Sequence, residues 1–144
     1  MAITQSIIST FKVELFEGVH NFSAGGDTFK IALYTANANL NSSTTSYIGT
    51  TGEVPNGGGY VTGGNVLTGQ VVGQSGTSIY VTFDNSVWLA ATFSAAGALI
   101  YNDTVLTKPA VAVLNFGNTF IASNNTFTVQ FPPATGTTAV ITAT

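Results

Sequence analysis

Thr28-Phe29-Lys30-Ile31-Ala32-Leu33-Tyr34-Thr35 decides the fold class. Phe29, Ile31 and Leu33 alternate with Lys30 and Tyr34, the period of two expected when one face of a strand is buried and the other half open. Gly25-Gly26-Asp27 in front of it supplies a turn. The same alternation recurs in Ser78–Phe83 (Ile79, Val81, Phe83) and in Thr126–Phe131 (Phe127, Val129, Phe131), the latter ending at Pro132-Pro133. Val87–Phe93 and Ala96–Tyr101 read as two apolar strands separated by Ser94-Ala95, and Ala110–Phe116 as another. Gly57-Gly58-Gly59 leads into Tyr60–Thr62, Gly63-Gly64-Asn65 reads as a tight turn into Val66–Val72, and Ala139–Ala143 is a last short strand. Asn37–Ser46 reads as a polar loop. About eight to ten strands with a turn signal every 8–12 residues predict a mainly β fold, an antiparallel β-sandwich or jelly roll. No helices intervene to build βαβ units, and no fixed period marks a repeat protein.

The first twenty residues follow another rhythm. Ile3, Ile7, Phe11, Leu15 and Val19 recur every four positions, with Ile8 and Phe16 alongside. One helix of about two turns is expected within Ser6–Glu17, capped by Ser9 or Thr10 and stopped at Gly18. A chain of 144 residues then reads as a single β domain over residues 1–144, with an N-terminal helical arm at 1–20 and a β-sandwich body at 27–143. Ile3, Ile7, Ile8, Phe11 and Leu15 are the expected contact residues of the arm, docking on the sheet, on a sister subunit or on a larger shell.

Charge narrows the function. Only 6% of the residues are charged: three lysines (Lys12, Lys30, Lys108), no arginine and six acids. Ordinary soluble domains carry roughly 25%. Nucleic acid is excluded as a partner because neutralising phosphates takes clustered cations, and the net charge is −3. No membrane role is expected, since the longest apolar stretches, Val87–Tyr101 and Pro109–Phe116, fall short of a spanning helix. The N-terminus lacks the basic and cleavable pattern of a secretory signal. The absence of cysteine removes disulfides and thiolate sites. The sequons at Asn21, Asn41, Asn102 and Asn124 follow from the richness in Asn, Ser and Thr. A surface so poor in ions packs against another copy with little desolvation cost, which predicts a homo-oligomer.

No catalytic constellation emerges, and no catalytic residue, cofactor or metal is expected. His20 is the single histidine and reads as structural, stacked or bonded to backbone. Glu14 and Glu17 share a helix face that reads as solvated, near Lys12. Asp27, Asp84 and Asp103 sit at turns, where Asp accepts from backbone N–H groups. Asp84-Asn85 and Asn102-Asp103 offer oxygens to a calcium ion but lack the spaced acids of a calcium loop. The glycine runs lack the Lys-Ser/Thr of a phosphate loop. Trp88 and the five tyrosines read as core or interface, with a sugar-stacking platform as the alternative.

Phe11-Lys12-Val13-Glu14-Leu15-Phe16-Glu17-Gly18-Val19-His20-Asn21-Phe22, followed by Gly26-Asp27-Thr28-Phe29-Lys30-Ile31-Ala32-Leu33-Tyr34-Thr35, resembles a family of small virion proteins of tailed bacteriophages. Tyr60-Val61-Thr62-Gly63-Gly64-Asn65, Trp88, Ala91–Asn102, Lys108–Gly117 and Phe127–Pro132 extend the resemblance over nearly the whole chain. One departure stands at Ala96, where the family pattern implies a charged residue, so a partner contact made there in relatives would differ here. The resemblance implies a virion structural protein, first a capsid decoration (cement) protein on the outer surface of the phage head. It implies closed self-association, a trimer ahead of a dimer, with the major capsid protein as partner. A tail-fibre, head-fibre or baseplate component is the second reading, ahead of a carbohydrate-binding module.

Overall fold

The computed structural model describes residues 2–132 and 141–143. The chain is mainly β, antiparallel and β-sandwich-like, with one short helix. Strand β1 (Ser6–Ile7) leads into helix α1 (Ser9–Phe16), then β2 (Phe29–Tyr34), β3 (Asn65–Val66), β4 (Val71–Ser75), β5 (Ser78–Thr82), β6 (Ser86–Asn102), β7 (Ala110–Val129) and β8 (Ile141–Ala143). The larger sheet runs β1-β7-β6-β2-β3, and the smaller β4-β5-β8. The expected strand at Ala139–Ala143 survives as β8, its first two residues lying outside the described part, as does Pro133 of the expected strand stop.

β2 lies inside the larger sheet, with its six residues paired to Gly97–Asn102 of β6. Five of those six are buried, Tyr34 as well as Phe29, Ile31 and Leu33, so β2 is covered on both faces and not half open. Phe22 stacks on Phe29 at 4.2 Å and 5°, and Phe83 reaches both from the end of β5. These rings join the smaller sheet to the larger, and one apolar cluster extends from Ile8 to Ile141.

Two expected pairs of strands are fused. Val87–Phe93 and Ala96–Tyr101 belong to one strand of 17 residues, β6. Ala110–Phe116 and most of Thr126–Phe131 belong to one strand of 20 residues, β7, which also takes in 117–125. The two form a single long hairpin that turns a corner. Ala95 pairs with Phe120 and Gly97 with Asn115, so Ala96 alone opposes Phe116, Gly117, Asn118 and Thr119. Gly117 sits at φ +83°, where a side chain would be strained. Excess residues on one strand bend a ladder, and such corners let one hairpin serve two layers. The expected strand Val66–Val72 is instead split between β3 and β4, which belong to different sheets.

The N-terminal region is built into the body and is not an arm beside it. Ser6 and Ile7 pair with Val113 and Ala112 of β7. The helix starts without a side-chain cap, contrary to the expectation for Ser9 or Thr10. It ends as expected at Gly18, whose N–H donates to Leu15 O while Val19 N–H donates to Glu14 O. Ile8 and Phe11 are fully buried in the chain's own core. That corrects their assignment as partner contacts, because neither can meet another molecule without opening the fold. Ile3 and Ile7 pack part-buried on the same core, and of the five only Leu15 is exposed. Among the described residues no helix is long and apolar enough to cross a membrane.

Candidate functional site

The corner in β7 creates a concavity. A groove of about 630 Å³ lies between the two arms of the strand. Leu114, Phe116, Phe120, Phe127 and Phe131 supply its apolar lining, and Gln5, Asn115, Asn125 and Gln130 its amides. The aromatic rings continue inward as a chain of contacts. Phe116 meets Phe120 at 6.4 Å and Phe127 at 6.2 Å, Phe127 meets Phe93 at 5.1 Å, and Phe93 meets Tyr60 at 5.8 Å. The groove floor is therefore continuous with the core. No residue from Pro109 to Pro132 carries a formal charge. The chemistry available is apolar contact plus hydrogen bonding.

The two edges of the hairpin differ. On the β6 side, Thr92 N–H donates to Gly58 O at 2.8 Å and Asn65 Nδ2 donates to Val87 O at 3.0 Å. Gly58 lies so close that a Cβ there would sit 2.3 Å from Thr92 O, which explains the glycine run by close approach as well as by turning. On the β7 side, β1 covers Val113 and Ala112, and Gln5 Oε1 accepts from Asn115 N–H at 2.6 Å. Beyond that point Phe120–Val129 has no strand on its outer side among the described residues. Ile121 is 78% exposed and Phe120 49%, and Leu89 of the paired strand is 72% exposed.

Residues singled out from the sequence fall elsewhere. His20 is structural, but through side chains and not backbone. Its Nδ1 accepts from Asn102 Nδ2 at 3.1 Å, and its Nε2–H donates to Glu14 Oε1 at 3.0 Å. Phe11 packs on its ring at 4.9 Å. Glu14 therefore leaves the solvated face expected for it and ties the helix to the end of β6. Asn102 Nδ2 also donates to Asp27 Oδ2 at 2.8 Å, while its Oδ1 accepts from Thr104 N–H. Asp103 pairs with Lys108, and Asn85 Oδ1 accepts from Phe131 N–H. The oxygens offered to calcium are thus largely engaged by the protein, and among the described residues no group of three or more His, Asp or Glu converges.

Trp88 is 4% exposed and packs against Tyr60 and Phe127, so it is core and offers no sugar platform. Tyr34, Tyr60 and Tyr101 are buried too, and Tyr47 stacks on Tyr101 at 4.4 Å. Glu53 organises them: it accepts from Tyr47 and Tyr60 hydroxyls and from Gly63 N–H. Burial, first, and the nearby Glu53 carboxylate or neighbouring tyrosines hold all four phenols above their ordinary pKa. Ala96 is buried at the hairpin corner, beside a second hollow of about 260 Å³ lined by Ala2, Ile3, Ala36 and Gly117. A charged side chain there would face this hollow.

No family model, no curated protein and no solved structure matches this chain.

The sequence did not point to the groove. Residues 117–125 carry no alternation of apolar and polar types. The one available signal was the unbroken run without charge from Pro109 onward.

Proposed function

We propose that this chain is a virion structural protein that assembles with copies of itself on the head of a tailed phage and reinforces the shell, as a decoration protein. The observation that carries the reading is a β body whose groove along β7, and whose strand edge at 120–129 with no neighbouring strand among the described residues, are free of formal charge. Contacts of that kind lose little to ion desolvation and are weakened little by salt. The resemblance drawn from Phe11–Phe22, Gly26–Thr35 and Ala91–Asn102 supports the same setting.

The chemistry required of such a protein is mechanical. Bridging neighbouring capsomers adds binding free energy to the closed shell that is lost on opening, so the shell opens at higher temperature or stress. Purified chain added to heads that lack it should bind to a fixed stoichiometry and raise the temperature at which DNA is released. Failure to bind heads, with binding to tails instead, would move the assignment to a tail or fibre component.

A further inference from the structure

We propose that Asn56-Gly57 is a site of spontaneous modification, where deamidation to isoaspartate releases the loop that covers β6 at Thr92. This goes beyond the assembly role proposed above and stands without it.

Of twelve asparagines only Asn56 is followed by glycine. Deamidation begins when the backbone nitrogen of the next residue attacks the asparagine Cγ. A side chain on that next residue crowds the approach, and Gly57 brings none. Asn56 and Gly57 are both exposed, so water reaches the reacting atoms. Thr62 N–H donates to Asn56 Oδ1 at 3.2 Å, which draws electrons from Cγ and favours attack there. Gly57 N–H is held by Tyr60 O at 2.8 Å, and Tyr60 N–H returns to Gly57 O at 3.0 Å. The nitrogen therefore reacts when this turn opens, a local event that uncovers no side chain, since Gly57, Gly58 and Gly59 have none.

The reaction balances with water alone. Gly57 N loses its proton to solvent and bonds to Asn56 Cγ, the Cγ–Nδ2 bond breaks, and the amide nitrogen takes up a proton and leaves as ammonia. Water then opens the cyclic imide. Cleavage at Cγ gives aspartate. Cleavage at the main-chain carbonyl of residue 56 gives isoaspartate, which adds a carbon to the backbone between 56 and 57. Close by, Gly58 O accepts from Thr92 N–H at 2.8 Å, and a Cβ on Gly59 would sit 3.0 Å from Leu89 O. The loop thus lies flush against β6. It is anchored before and after by Val54 N–H to Leu33 O and by the Tyr60 hydroxyl to Glu53. Lengthening the backbone between these anchors shifts Gly58 off Thr92. Aspartate keeps the backbone length and offers an oxygen to Thr62 N–H, so isoaspartate is the product that detaches the loop.

The test is incubation of the full chain in mildly alkaline buffer, then peptide mapping that separates aspartate from isoaspartate, with hydrogen exchange of each fraction. Asn56 should convert before every other asparagine. Thr92 N–H should exchange at least about tenfold faster in the isoaspartyl fraction than in fresh protein. Freshly purified Asn56→Asp should keep the wild-type rate at Thr92. Asn56→Gln, whose longer side chain cyclises poorly, should hold its starting rate at Thr92 through the incubation. Asn56 left intact while another asparagine converts overturns the proposal, as does Asn56 left intact while chain unfolded in urea converts there. An isoaspartyl fraction that protects Thr92 as fresh protein does overturns it too. So does loss of protection in fresh Asn56→Asp, which would put the effect in the charge. Loss of protection on incubating Asn56→Gln would put it at another site and end the proposal as well.

Discussion

The rings of Phe116 and Phe127 lie 6.2 Å apart although both belong to β7. Eleven residues of straight strand would separate them by about 36 Å. The contact therefore measures how far the long hairpin folds back at Ala96 and Gly117, and it closes the floor of the groove.

Phe127 holds that fold. Phe127→Ala should destabilise the chain by about 2–4 kcal/mol, through lost burial and lost contacts with Trp88, Phe93 and Phe116. Combined with Phe116→Ala in a double-mutant cycle, it should give a coupling of about 0.5–1.5 kcal/mol by urea unfolding. Zero coupling would mean that the two arms of β7 are not in contact in solution.

Gly58 carries the covered edge. Gly58→Ala should cost about 2 kcal/mol or more, because the residue has φ +59° and its Cβ would press on Thr92 O. Hydrogen exchange should accelerate at Thr92, whose N–H is bonded to Gly58 O. An unchanged exchange rate there would show that the loop does not cover β6.

Asn102 joins the helix to the sheet, and its amide cannot be replaced by a carboxylate. Asn102→Asp sets an acid 2.8 Å from Asp27 and removes the donor to His20. The expected loss is about 3 kcal/mol or more at neutral pH, and greater than that of Asn102→Ala. Thermal unfolding of the two variants gives the order, and the reverse order would contradict the hydrogen-bond assignment.

Alkaline pH should unfold the protein cooperatively. Tyr34, Tyr60 and Tyr101 are buried with raised pKa, so the folded chain keeps protons that the unfolded chain releases near the ordinary tyrosine value. Their stabilising contribution is complete below about pH 10 and is lost above it, at up to about 4 kcal/mol per pH unit for the three together. Phenolate absorbance should rise together with loss of circular dichroism. Ionisation of these three rings well before unfolding would show them to be open to solvent.

The strands were legible where alternation and turn signals coincide, as in Phe29–Tyr34 and Ser78–Thr82. The corner was not legible, because Ser94-Ala95 reads locally as a break and no strand was read over 117–125, while tertiary pairing carries β6 and β7 through both. Periodicity identified the apolar face of the N-terminal segment at Ile8 and Phe11 but not what covers it. That cover is the chain's own core. His20 was legible as structural because no catalytic constellation could be assembled around it, whereas its partner Asn102 is 82 positions away and no local pattern announces it. The groove depends wholly on the corner, so a reading blind to the corner was blind to the groove.

Quantitative mass spectrometry of purified particles, with heads and tails separated, addresses the function most directly. Decoration of a shell predicts hundreds of copies of this chain per particle, all recovered with the heads. A handful of copies recovered with tails, or none in any particle, would contradict it.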